Sequence, residues 1–286
     1  MRYGILFANT GRAVSPEGAT ALGSIAEDCG FESIWTVEHV VVPADYQSTY
    51  PYSTSGKMPG SEASPIPDPL IWLTWVAAST RTLRLATGVL ILPQRSPAIL
   101  AKELATLDVL SGGRVTLGIG VGWLEEEFRA LGIPFEERGR RTDEYIEALR
   151  TLWRDDESTY RGRFVDFDRA KSYPKPVQAG GVPIVVGGHS PAAARRAGRF
   201  GGEFFPLGDT EQLARLIAIM RDSATQAGRD PDSVAITAGP AMKADSVRRL
   251  ADLGVSRVVI PNMGGGPEEW KIRLGRFSEE VMAVAG

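Results

Sequence analysis

The sequence alternates. Eight runs of β-type residues take turns with eight helical patterns across 286 residues. That alternation limits the fold more than any single motif. The strand-like runs are 3–8, 31–39, 83–92, 114–121, 182–187, 203–206, 234–239 and 257–261. The helical patterns are 15–29, 68–80, 97–111, 124–155, 190–199, 211–228, 245–253 and 267–285. Strands separated by helices run parallel. Eight such repeats in a chain of this length predict an α/β fold, a (β/α)8 TIM barrel in one domain spanning 1–286. A doubly wound sheet shares the alternation, but no GxGxxG follows the first strand.

Local signals support these boundaries. Ser15-Pro16-Glu17 supplies an N-cap, a proline at the first helical position and an acid in the first turn, and Gly30 stops that helix. Asp68-Pro69 and Ser190-Pro191 repeat the pattern. Residues 86–122 contain a complete strand–helix–strand unit, whose helix carries Leu100, Leu104, Leu107 and Leu110 on one face. Two segments fall outside the repeat. Residues 40–67 form a long loop rich in Pro, Ser, Gly and Tyr, of the kind that makes lids or binding loops. Residues 160–178 read as an extended excursion with proline breaks.

Composition excludes several classes. The formal net charge is −3, which gives no footprint for nucleic acid or an anionic membrane surface. Cys29 is the single cysteine, so no disulfide can form within the chain. No apolar run reaches membrane-spanning length. The start, MRYGILFANTGR, lacks signal-peptide architecture. A cytoplasmic protein is expected.

Barrel active sites lie at the C-terminal ends of the strands. Both histidines of the chain fall there. His39, with Glu38 beside it, ends the second strand, and His189 follows the fifth. Imidazole suits proton transfer near neutral pH, although either ring could simply cap a loop. Without HxH or HExxH spacing they do not suggest a zinc site, and no metal is expected. Gly187-Gly188-His189-Ser190 leads from a strand into a helix, where free N–H groups can bind an anion. An ordinary serine-capped turn reads the same way. Gly264-Gly265-Gly266, after the last strand, is a second place for a phosphate. Arg138, Arg140 and Arg141 could clamp a phosphate or line a solvated helix face. Tyr46, Tyr50, Tyr52 and Met58 could cover a ligand or pack on the barrel rim.

Taken together, the segments EHVVVP (38–43), TGVLILPQRSP (87–97), AKELATLDVLSGGRVTLGIGVGWLEEEF (101–128), ERGRRTDEY (137–145), PKPVQ (174–178) and VPIVVGGHSP (182–191) resemble the bacterial luciferase-like superfamily. The resemblance is to its coenzyme F420-dependent oxidoreductase branch and covers nearly the whole chain. It implies a deazaflavin or flavin held in the barrel mouth. A non-prolyl cis peptide at Gly88-Val89 would back the ring, with Gly120 and Val121 beside it. It also implies His39 and Glu38 as catalytic residues. The turn Gly187, Gly188, His189 and Ser190 would bind the cofactor phosphate, joined by Arg138. Some sugar-phosphate dehydrogenases of the superfamily carry a glutamate where this chain has Val121, so that substrate class is not expected. The expectation is hydride transfer between F420 and a small organic substrate, in a homodimer. An FMN-dependent monooxygenase using O2 is the alternative. A non-redox lyase or a binding protein is a more distant one.

Overall fold

The computed structural model describes residues 1–285. Its elements, in chain order, are β1 (Arg2–Leu6), α1 (Pro16–Asp28), β2 (Ser33–Thr36), α2 (Pro69–Ser79), β3 (Arg84–Thr87), β4 (Leu90–Ile91), α3 (Pro97–Ser111), β5 (Val115–Gly120), α4 (Glu125–Ala130), α5 (Arg138–Arg154), β6 (Ser158–Arg161), β7 (Asp166–Ala170), β8 (Ile184–Gly187), α6 (Pro191–Phe200), β9 (Glu203–Phe205), α7 (Thr210–Gln226), β10 (Ala235–Ala238), α8 (Ala244–Asp252), β11 (Arg257–Pro261) and α9 (Pro267–Phe277). β3 and β4 act as one barrel strand interrupted at Gly88-Val89. With that counting, eight parallel strands close a ring in the order β1, β2, β3/β4, β5, β8, β9, β10, β11 and back to β1. The fold is a TIM barrel, as the alternation predicts.

The barrel interior is packed. Leu6, Trp35, Ala86, Val185, Phe205 and Val259 fill its middle. Trp35 is fully buried, and Gly4 makes room for it, because a Cβ at Gly4 would lie 2.7 Å from the indole Nε1. The N-terminal end of the barrel is closed by ions. Arg257 is 2% exposed. It bonds Glu32 through Nε at 2.9 Å and through Nη2 at 2.9 Å, and Nη1 donates to Glu203 and to Thr237.

The structure departs from the sequence reading in five places. The second strand is only Ser33–Thr36; residues 37–39 leave the sheet because Asn9 captures Val37 instead, with Val37 N donating to Asn9 Oδ1 at 2.8 Å. The charged stretch 124–155 is two helices, not one. Gly132 adopts φ +70°, and Pro134 disfavours helical geometry at Ile133. The excursion at 160–178 overlaps an antiparallel hairpin, β6 with β7, that starts earlier, at Ser158, and is held by Glu144 accepting from the amides of Arg163, Phe164 and Val165. Leu110 is 68% exposed, and Ser111 takes the inward position on α3. The last helix passes into a wider turn at Ser278–Met282. No helix among the described residues is long and apolar enough to cross a membrane.

Candidate active site

Val89 is the centre of the barrel mouth. The Gly88-Val89 peptide bond is cis, as the resemblance implies. The isopropyl group of Val89 sits against two glycines on neighbouring strands. A Cβ at Gly120 would lie 2.6 Å from Val89 Cγ2, and one at Gly187 would lie 2.5 Å from Val89 Cγ1. Gly120 and Gly187 therefore seat Val89, and the open space expected beside a ring at Gly120 is taken by that side chain. Gly187→Ala is expected to destabilise the fold by about 1–3 kcal/mol, as overpacking does. Urea melts of both proteins check this. An unchanged midpoint would mean that the seat is slack.

His39 stands at the rim. Its Nδ1 lies 3.1 Å from Glu127 Oε2 on α4, and its ring meets Trp123 edge-on at 5.7 Å. Its side chain is 11% exposed. Nε2 makes no protein hydrogen bond among the described residues and is not among their buried unpartnered atoms. Glu127 is 1% exposed. Its Oε1 accepts from Val40 N at 2.6 Å and Val41 N at 3.2 Å.

Glu38 points elsewhere. Its side chain is 1% exposed, Oε2 accepts from Ile91 N at 2.6 Å, and Oε1 accepts two donors of Arg95. Burial pushes its carboxyl above the usual range, against the pull of Arg95. Arg95 also bonds Asp68 at 2.7 Å, whose other oxygen caps α2 by accepting from Leu70 and Ile71 amides. The expected catalytic role of Glu38 does not suit this geometry. Glu38 is a brace that ties the end of the second strand to β4, with no face left for substrate.

The loop after the second strand crosses the mouth. Asn9 Nδ2 donates to Val37 O at 2.9 Å and Pro67 O at 3.0 Å, closing the loop at its neck. Glu126 on α4 accepts from Gln47 N at 2.7 Å and from Ser48 Oγ at 2.6 Å. The Ser48 hydroxyl and neighbouring amides hold that carboxyl down at about 2. An aromatic row then runs from Trp123 to Tyr50 at 5.1 Å, to Tyr52 at 5.3 Å, and to His189 at 4.7 Å. Both histidines thus lie under one loop. Val121, also half-buried at the rim, follows β5 two residues before Trp123.

The turn after β8 has the features of an anion site. Gly188 has φ +127°, and its N–H is spent on Phe205 O. Ser190 caps α6 through Ala193 N at 3.2 Å. The N–H groups of His189, Ser190 and Ala192 donate to nothing among the described residues. Burial lowers the His189 imidazole, so near neutral pH it is an uncharged ring. The turn offers an anion its amides, not a charged side chain. Arg138 opens α5 and stacks on Phe135 at 3.6 Å. Its Nε donates to Gly122 O at 3.1 Å and its Nη1 to Phe135 O at 3.0 Å, leaving Nη2 free of protein acceptors among the described residues. Arg196 of α6 pins this first turn of α5 by bonding Gly139 O at 3.0 Å and Asp143 at 2.5 Å.

The glycines at 264–266 do not share these features. Gly264 N is taken by Asn262 Oδ1 and Gly266 N by Glu269 Oε2, both at 3.0 Å. A carboxylate already occupies that loop. Among the described residues no group of three or more His, Cys, Asp or Glu side chains could hold a metal ion.

The fold is thus a closed parallel barrel whose mouth carries three unused amides after its fifth barrel strand and an accessible imidazole. The chain belongs to the luciferase-like monooxygenase family, whose model matches residues 1–251 and whose members are oxidoreductases and monooxygenases. It is 35% identical to the uncharacterized protein Rv0940c of Mycobacterium tuberculosis, over 92% of this chain and 93% of that one. A shorter match, 38% over 136 residues, joins 46% of this chain to 37% of the FMNH(2)-dependent dimethylsulfone monooxygenase of Pseudomonas putida. Among solved structures, monooxygenase RslO1 from Streptomyces bottropensis superposes with TM-score 0.78 at 25% identity, over 99% of each chain. An F420-dependent secondary alcohol dehydrogenase superposes with TM-score 0.79 at 18% identity, over 99% of this chain and 98% of the other, which speaks to the fold.

Proposed function

We propose that the chain is an F420-dependent oxidoreductase that moves a hydride between the deazaflavin and a small organic substrate. One juxtaposition carries this reading. The accessible Nε2 of His39 and the free amides of His189, Ser190 and Ala192 lie at opposite ends of one aromatic row, Trp123–Tyr50–Tyr52, that includes two residues of the covering loop. Overall similarity of the sequence to the deazaflavin branch supports F420 over FMN. The residues suit such a group: three unused amides at the start of a ten-residue helix match a phosphate, and Val89 fills the space on which a flat ring would rest.

When bound, F420 would supply or accept the hydride at its C5. The protein would hold the phosphate with the β8–α6 turn and Arg138, and back the ring with Val89. His39 would give a proton to the developing anion of a reduced substrate, or take the hydroxyl proton of an alcohol being oxidised. Tyr50, Tyr52 and Trp123 would exclude water while this happens. The lyase reading wants a free acid–base pair, whereas Glu38 is committed to Arg95 and Glu127 to His39.

Titration of the purified protein with F420 and with FMN tests this. F420 is expected to bind at micromolar concentration and FMN more weakly. No F420 binding in that range would remove the reading. The similarity to RslO1 and to the dimethylsulfone monooxygenase supports a second reading, an FMN-dependent monooxygenase. Tight FMN binding together with O2 consumption by the FMNH2-loaded protein would favour it. A homodimer in the cytoplasm is proposed as well. Ile71 and Trp75 of the uncharged helix α2 and Ile99 of α3 are exposed and apolar, which supports a covering partner copy. Sedimentation as a monomer at micromolar concentration would contradict the dimer.

A further inference from the structure

The carboxylate of Glu127 does two things at once. Oε1 receives the amides of Val40 and Val41, the first residues of the covering loop, and Oε2 faces Nδ1 of His39. A carboxylate can only accept. In the neutral imidazole one nitrogen is a donor and the other an acceptor. An acceptor facing Nδ1 therefore selects the ring form that carries its proton on Nδ1 and leaves the Nε2 lone pair accessible. We propose that Glu127 is a positioning residue that fixes this His39 tautomer and, through the same carboxylate, the start of the covering loop. The loop and the imidazole are thereby registered to one another: α4, which also holds Gln47 and Ser48 through Glu126, is the clasp for both. Sequence reading alone assigned no role to Glu127. It rests on a short helix with three consecutive acids, and the other two are more exposed.

The assignment rests on His39 serving the site described above, but its test does not need cofactor or substrate. The chain has two histidines, so ring nitrogens of ¹⁵N-histidine-labelled protein give two sets of NMR signals, and the H189Q variant assigns them. At a pH high enough that each ring carries one proton, His39 of the unaltered protein is expected to be protonated on Nδ1. In Glu127→Gln the amide oxygen remains the acceptor that Val40 and Val41 need, so the –NH2 group turns to Nδ1 and donates. The His39 proton is then expected to move to Nε2. A purely structural Glu127 would leave the tautomer unchanged in that variant. Glu127→Asp, which keeps an acceptor, is expected to retain the Nδ1–H form. A proton on Nε2 in the unaltered protein overturns the proposal even if no variant folds. So does an Nδ1–H ring in folded Glu127→Gln. Failure of F420 to bind would leave these spectra as expected, so the two readings fail separately.

Discussion

His39→Gln is expected to slow turnover by about 100- to 10,000-fold, the range that a positioned general acid or base contributes. Cofactor affinity should stay near that of the unaltered protein. The reason is geometric. Nε2 of His39 is the accessible nitrogen of a ring whose other nitrogen is already committed to Glu127. The remaining carboxylates nearby cannot substitute, because Glu38 is bound to Arg95 and Ile91 N, and Glu127 is shut behind the ring with a 2% exposed side chain. A glutamine retains some of the packing against Trp123 but cannot exchange a proton near neutral pH. The measurement is the rate of F420 absorbance change at saturating substrate, alongside a cofactor titration. Turnover equal to the unaltered protein would remove His39 from the chemistry. Loss of cofactor binding with unchanged turnover of the bound fraction would make it a wall of the pocket.

Arg257→Met is expected to cost about 3–5 kcal/mol of stability, because it leaves buried acids without their counter-charge. Glu203 has an 11% exposed side chain and Glu32 a 25% exposed one. Arg257 touches both, donates to Thr237, and lies 5.3 Å from the Trp35 ring at the base of the barrel packing. Methionine restores most of the volume, so the loss is chiefly electrostatic. Adding Glu203→Gln to the Arg257→Met protein should then recover part of it, since the more buried charge is gone. Denaturant melts of the three proteins check this. A single variant within about 1 kcal/mol of the unaltered protein, as for a surface pair, would show that water reaches the barrel floor.

The barrel was legible because its repeat is long-range and periodic, and some helices announce their own starts: Ser15, Asp68 and Ser190 accept the amides their positions foretell. The hinge at 131–137 was less visible because the flanking stretches are rich in Glu and Arg, which are good helix formers, and only Gly132 and Pro134 mark the break. His39, His189 and Gly187–Ser190 could be found from strand ends alone. Glu127, Arg95 and Asn9 could not. Their partners lie 88, 57 and 28 residues away in sequence, respectively, and no local spacing encodes such contacts. Only a hint existed for Glu127, an acid turned inward on a six-residue helix where an apolar residue would be expected. The contacts of Glu38 are hidden for the same reason: its neighbour in sequence suggests a pair with His39, but beyond Thr36 the chain leaves the sheet and the two side chains take different partners, Arg95 and Glu127. Gly120 reads as a neighbour of the ring and Gly187 as part of the phosphate turn. They are space for Val89, a contact made across three strands.

The central claim is that a deazaflavin lies across this mouth between Val89 and the β8–α6 turn. A crystal structure of the protein with F420 tests it most directly. The expected result is the ring against Val89, with His39 Nε2 on the substrate side and the phosphate on the amides of His189, Ser190 and Ala192. A phosphate bound at Gly264–Gly266, or a ring outside the barrel mouth with the β8–α6 turn empty, would contradict it.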